Sequence, residues 1–235
     1  MQATRKTRKI TVKFFLNQLL DPVINEKGKE FYPLYIQVTY NRKNMQLRSL
    51  YGKYYLDLME VPSALLESEE RVLRKIITLE ASHLEDNYDL RGLKRKYEVY
   101  SLSLQQAIED YLKPKLRLAI MKTNCELKHV LDFASTRATV PLLQAAAQKL
   151  LPDFERHLGT RLQQELAVYE QFQRLNKQPF PSYSFPMVID WSDGSYKEEL
   201  SIKGKAINKN NPELAKQMSA LIDHAVSEEF MVFDE

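Results

Sequence analysis

The sequence predicts an α+β protein: a small three-stranded antiparallel sheet at the N-terminus, a helical middle domain, and a C-terminal β-hairpin plus helix. Three observations carry that prediction. Apolar residues alternate with period two between residues 8 and 56. Apolar stripes at helical spacing fill residues 63–177. An Asp-Gly turn signal stands between two aromatic residues near position 193. The corresponding boundaries are 1–62 for the sheet, 63–177 for the helices and 178–235 for a β-β-α tail.

In the first segment Ile10, Val12, Phe14 and Leu16 alternate with Thr11, Lys13, Phe15 and Asn17. "DPVINEKGKEFYP" follows, with Asp-Pro and Lys-Gly turn signals. Leu34, Ile36, Val38 and Tyr40 then alternate with Tyr35, Gln37 and Thr39. Asn41-Arg42-Lys43-Asn44 reads as the next turn, and Met45 and Leu47 alternate with Gln46 and Arg48. The pattern is a meander with one apolar and one polar face. Such a sheet is unstable alone and needs a cover. "PSALLESEERVLRKIITLEASHL" supplies it, as a helix with a stripe of Leu65, Leu66, Val72, Leu73, Ile76, Ile77 and Leu79.

The middle segment reads as a short basic helix in "DLRGLKRKYEVYS", then a helix opened by a capping box at Ser103 and Gln106. Pro114 is expected to kink or end that helix. "ELKHVLDFAST", "VPLLQAAAQKLLPDFERHL" and "TRLQQELAVYEQFQRLNKQ" read as three more, the last with Leu162, Leu166, Tyr169 and Phe172 along one side. In the tail, Trp191 and Tyr196 flank the Asp193-Gly194 turn of the expected hairpin. Asn211 and Pro212 are the expected cap and first residue of the final helix.

The charge is uneven. Residues 1–60 hold 11 Lys/Arg against 5 Asp/Glu, whereas the remainder has a small acidic excess. This polarity points to an anionic partner for the N-terminal part, nucleic acid first, with a solvated basic surface as the alternative. The single cysteine, Cys125, excludes an internal disulfide and any Cys-based zinc site. No apolar run approaches the roughly 20 residues that span a bilayer, so no membrane partner is expected. The basic, then apolar, N-terminus lacks the cleavage site of a signal peptide. The expected location is the cytoplasm of a bacterial host cell, with association with a virion as the other option.

Enzyme chemistry is not expected. His83, His129, His157 and His224 show no metal-ligand spacing, and no phosphate loop, dinucleotide fingerprint or nucleophile elbow is present. The acidic pairs Glu69/Glu70, Glu198/Glu199 and Glu228/Glu229 read as solvated faces. No cofactor or metal is called for.

The polar face of the sheet is different. Alternation turns Lys13, Tyr35, Gln37, Thr39, Gln46 and Arg48 outward together with Phe15, and puts Arg42 and Lys43 at the turn. Arg bonds guanine bidentately, Gln bonds adenine, and Thr can touch the thymine methyl. Lys, Tyr and Thr also bond phosphates, and a small sheet can enter the major groove. The leader residues Arg5, Lys6, Arg8 and Lys9 can follow the backbone or enter the minor groove. A water-facing surface stands beside this, since any such sheet turns polar residues outward.

The stretch "KITVKFFLNQLLDPVINEKGKEFYPLYIQVTYNRKNMQLRS" resembles the N-terminal arm-type DNA-binding domain of tyrosine recombinases (integrases) from Bacteroidetes phages and mobile elements. The likeness lies in the opening apolar strand, the Lys-Gly-Lys before the second strand, and the third strand "MQLRS". It covers roughly 50 residues. It implies a three-stranded sheet whose polar face enters the major groove of arm sites. Two departures limit it. "LYGKYYLDLMEV" replaces the small-residue turn that usually follows the third strand. The catalytic set of that family is also missing: only "HLGTR", His157 to Arg161, approaches its His-x-x-Arg motif, one residue too long, and no tyrosine follows Tyr196. The expected function is therefore non-enzymatic binding of duplex DNA by a phage or mobile-element protein. The helical parts would contact a second copy or a phage protein. The rival is a phage structural or assembly protein, whose sheet and helices, thirteen tyrosines and apolar "FMVFD" serve protein–protein contacts.

Overall fold

The computed structural model describes residues 9–51, 53–84, 88–176, 185–207 and 212–231. The chain divides into two compact units, residues 1–101 with 181–184, and residues 102–180 with 185–235. The two helices that follow the sheet thus belong with the sheet.

In the first unit the sheet has five strands, not three: β1 (Thr11–Leu16), β2 (Val23–Ile24), β3 (Glu30–Tyr40), β4 (Lys43–Arg48) and β5 (Tyr54–Tyr55). All four others pair antiparallel with β3. The three expected strands are β1, β3 and β4. The added pair, β2 and β5, are two residues each and too short to show alternation. They pair with the first residues of β3, from Glu30 to Pro33, where the proline masks the strand pattern. The β2–β3 turn is built by Asn25, whose side-chain oxygen accepts the Lys27 and Lys29 N–H groups at 2.9 and 3.0 Å. Gly28 completes it at φ 73°.

The apolar face carries the core of this unit. Leu34, Ile36, Val38 and Leu47 are buried, and so are Val72, Leu73, Ile76 and Ile77 of α1 (Ser63–Leu84). Leu34 clusters with Val61 and Leu65 beneath Phe14 and Leu16. Arg74 of α1 donates to the Ile10 carbonyl at 2.9 Å, tying the helix to the entry of β1. Helix α2 (Leu93–Tyr100) begins after Gly92, which is left-handed at φ 77°, and buries Leu93, Tyr97, Val99 and Tyr100.

The second unit is helical, with α3 (Leu104–Met121), α4 (Leu127–Ala134), α5 (Val140–Leu150), α6 (Phe154–His157), α7 (Thr160–Leu175), α8 (Val188–Ser192), α9 (Ser195–Ile207) and α10 (Pro212–Met231). Helix α3 is central and touches α4, α5, α6, α7, α8 and α10. It runs through Pro114 without ending. A proline removes one intrahelical bond, and the burial of Leu112, Leu116, Ala119 and Ile120 on both sides of it holds the helix together. The Ser103 hydroxyl accepts the Gln106 N–H at 3.1 Å, whereas the Gln106 amide donates to Asp110. The capping box is therefore half formed. Two buried or half-buried carboxylates are matched by cations. Glu109 accepts from the Tyr169 hydroxyl at 2.7 Å and lies 3.4 Å from Lys113 Nζ. Glu165 accepts from Lys115 at 3.0 Å, Arg161 at 2.9 Å and the Tyr111 hydroxyl at 3.1 Å.

The expected C-terminal hairpin does not form; residues 188–207 are the two helices α8 and α9. Asp193-Gly194 is a turn, with Gly194 at φ 83°, but it joins helices. The Asp193 carboxylate accepts the Ser195 N–H at 2.9 Å and so opens α9. Val188, Trp191, Tyr196 and Leu200 are buried at helical spacing. Trp191 donates to Asp223 of α10 at 2.8 Å, and Tyr196 donates to Asn176 at 2.8 Å. Pro212 is the first residue of α10, while Asn211 lies outside the described residues. Among the described residues no helix is long and apolar enough to cross a membrane.

Candidate nucleic-acid interface

The register of β1, β3 and β4 sorts the outward side chains into three cross-strand rows. Thr11, Thr39 and Asn44 form the first, Lys13, Gln37 and Gln46 the second, and Phe15, Tyr35 and Arg48 the third. Every member keeps solvent exposure. The nine positions hold two cations and no carboxylate. Alternation places these residues together because side chains two apart share a face and paired residues stand about 5 Å apart.

Each row is held differently. Thr39 donates to Asn44 at 2.7 Å. In the middle row, Lys13 and Gln46 are exposed and flank the half-buried Gln37. In the third, the Phe15 and Tyr35 rings lie 6.0 Å apart. The Arg48 guanidinium sits 5.6 Å from the Tyr54 ring centroid and donates to the Tyr54 hydroxyl at 3.4 Å. Tyr54 belongs to β5, so the unforeseen fifth strand steadies a foreseen site residue. A planar guanidinium fixed on an aromatic ring keeps its remaining N–H groups directed for bidentate bonding.

The turn between β3 and β4 has two residues, not four. Asn41 and Arg42 have φ 49° and 62°, the left-handed pair that a type I′ hairpin turn requires. Arg42 is exposed at its tip. Lys43 is the first residue of β4, opposite Tyr40. That phase puts it on the side of Met45 and Leu47, away from Gln46 and Arg48. Its Nζ lies 3.6 Å from Asp89, which also pairs with Arg91 at 3.0 Å. The backbone N–H of Arg91, then the two cations, hold the Asp89 carboxyl below its usual range. Lys43 is therefore not part of the polar face, and Thr11 and Asn44 are. Lys9 is exposed, while Arg5, Lys6 and Arg8 lie outside the described residues.

The far end of β4 is anchored from beneath. Ser49, directly after Arg48, donates to Glu69 Oε1 at 2.7 Å; the Leu50 N–H donates to the same oxygen at 3.1 Å, and so does the Tyr97 hydroxyl. Glu69 is 1% exposed. It is not on a solvated face, unlike the exposed Glu198 and Glu199. Burial raises its carboxyl above the usual range against the lowering pull of those hydrogen bonds, and burial next to it raises the Tyr97 hydroxyl as well. Among the described residues its other oxygen has no hydrogen-bond partner. The sequence does carry a signal for this: Glu69 falls on the apolar stripe between Leu65 and Val72.

No group of three or more His, Cys, Asp or Glu side chains is arranged to hold a metal ion among the described residues. No protein-family model, curated protein or solved structure matches this chain.

Proposed function

We propose that this chain is a non-enzymatic duplex-DNA-binding protein of phage or mobile-element origin, and that the polar face of its N-terminal sheet enters the major groove. The observation that supports this best is the middle and outer rows of that face: Lys13, Gln37, Gln46 and Arg48 side by side, with no acid among them. Amide and guanidinium groups match the base edges of the major groove, and Lys13 and Arg42 suit the phosphates beside it. The likeness to the arm-type domains of tyrosine recombinases supports the same reading. The lack of that family's catalytic residues limits it to recognition without strand cleavage.

The test is a gel-shift titration of duplex DNA with alanine variants. Arg48→Ala weakens binding about tenfold, since a bidentate base contact contributes about 1–3 kcal/mol, and Lys13→Ala, which removes a phosphate contact, weakens it less. Arg42→Ala weakens it less, as a phosphate contact at the tip. Lys43→Ala leaves it nearly unchanged, because Lys43 faces Asp89. Unchanged binding in the Lys13/Arg48 double variant overturns the proposal.

A second reading, a phage structural or assembly protein, draws on one observation: Phe133 of α4 is 81% exposed. Assembly independent of DNA, with no nucleic acid carried through purification by absorbance ratio, would favour it.

A further inference from the structure

Strands β3 and β4 form a ribbon of the size that a major groove takes. The groove is about 12 Å wide and admits two strands side by side, which lie about 5 Å apart. The cross-strand rows of this ribbon run from Thr39 and Asn44 to Tyr35 and Arg48, four residues along each strand. At about 3.4 Å per residue that is roughly 14 Å, more than the groove is wide. The ribbon therefore lies along the groove and not across it. Strand β1 is left at the groove wall, where the exposed Lys13 meets phosphates.

The rows differ in what they offer a base edge. Thr39 donates to the Asn44 side-chain oxygen at 2.7 Å, and the two-point contact of asparagine with adenine needs that oxygen. Gln37 and Gln46 stand opposite each other in the next row, and neither amide makes a hydrogen bond among the described residues. Gln46 is the more exposed of the two. In the third row the Arg48 guanidinium is held over Tyr54 and donates to its hydroxyl at 3.4 Å, which leaves the other N–H groups open. The two-point partner of arginine is O6 and N7 of guanine, and that of glutamine is N6 and N7 of adenine. Gln46 and Arg48 are two residues apart on one strand, a distance of about 6.8 Å. A base-pair step rises about 3.4 Å. The groove winds about the axis, so that distance covers at most about two steps.

We propose that the ribbon reads a guanine through Arg48 and, no more than about two base pairs away, an adenine through Gln46. This rests on the DNA-binding proposal and adds to it what the duplex must contain. Both contacts use major-groove atoms, so the guanine amino group in the minor groove takes no part.

Selection of bound duplexes from a random pool by the full chain, followed by sequencing, tests it. The bound sequences share a guanine with an adenine within about two base pairs. In gel-shift titrations on such a duplex, exchanging that G·C pair for A·T weakens the parent about tenfold, and exchanging the A·T pair for G·C does the same. Arg48→Ala no longer distinguishes the first pair and Gln46→Ala no longer distinguishes the second, each keeping the preference at the other position. Both side chains are exposed, so the circular dichroism of the variants matches that of the parent. Hypoxanthine in place of the guanine keeps O6 and N7 and lacks the amino group, and it is bound like guanine. Binding without base preference, a preference that survives both substitutions, a wider separation of the two bases, or loss of binding with hypoxanthine overturns the inference and leaves DNA binding itself standing. Absence of binding to any duplex overturns both.

Discussion

Ion pairs occur in both units, but the two hold their most buried carboxylates differently. In the helical unit, cations are turned toward carboxylates of the same unit: Lys113 on Glu109, and Lys115 and Arg161 on Glu165. In the sheet unit, Lys13, Arg42 and Arg48 make no ion pair among the described residues, and its most buried carboxylate, Glu69, is held by neutral donors alone. A cation already paired gains little from an external anion. An unpaired one on an acid-free face is available to one. The unpaired cations of the sheet face are what the DNA-binding proposal draws on.

Salt should break this comparison most visibly. With about five phosphates neutralised, a tenfold rise in salt lowers duplex affinity by a factor on the order of 10⁴. A flat salt response would mean that the unpaired cations of the sheet face meet no phosphate.

Stability gives the next contrast. Glu69→Ala leaves the Tyr97 and Ser49 hydroxyls and the Leu50 N–H without their acceptor, at a cost of about 3 kcal/mol. Tyr169→Phe removes the hydrogen bond to Glu109, which keeps Lys113, and the one that Gln173 donates to the Tyr169 hydroxyl at 3.0 Å, and costs about 1–2 kcal/mol. Denaturant titrations of both variants measure the difference. Equal losses would show that the cation beside Glu109 does not matter.

The pH dependence sharpens the same point. The folded state raises the Glu69 carboxyl, so it binds a proton more readily than the unfolded chain does. The stabilisation from the protonated form is complete below the ordinary carboxylate pKa and is lost as pH rises through the raised value. Glu69→Gln keeps a neutral acceptor and removes the titration. Scanning calorimetry should show the parent losing stability relative to this variant as pH rises above the usual carboxylate range. Parallel curves would place the carboxyl at its ordinary value.

The smallest expected effect is at the hairpin tip. Arg42 is left-handed at φ 62°, so Arg42→Gly relieves the turn and leaves stability within about 1 kcal/mol of the parent. The variant still weakens duplex binding, which separates the charge at the tip from the fold of the tip.

Much of the first unit was legible because its buried face is repeated by three strands in one phase. Leu34, Ile36, Val38 and Leu47 stand inside as alternation requires, and the α1 stripe covers them. Strands β2 and β5 were not legible, since two residues cannot display a period. Lys43 was misplaced because the loop was taken as four residues. Counting back in twos from Leu47 and Met45 puts it on the inner side. Glu69 was discounted as one of a charged pair, although its position on the α1 stripe marked it as buried. The C-terminal helices were missed because Asp193-Gly194 reports a turn and not what it connects. The spacing of Val188, Trp191, Tyr196 and Leu200 carried the helical answer. All seven outward residues that alternation reads, Lys13, Phe15, Tyr35, Gln37, Thr39, Gln46 and Arg48, stand on the candidate face. The grip of Tyr54 on Arg48 was not legible, because it arises from a strand the sequence does not announce.

Strand β3 has a consequence of its own. Because β1, β2, β4 and β5 all pair with it and none with another strand, each takes its alignment from a single ruler. A slip of β3 by one residue would invert its inner and outer side chains and put all four pairings out of step at once. The sheet therefore has no inexpensive partial error: its alignment is right as a whole or lost as a whole. Amide protons of β3 should accordingly exchange last in this unit and together, as one cooperative block.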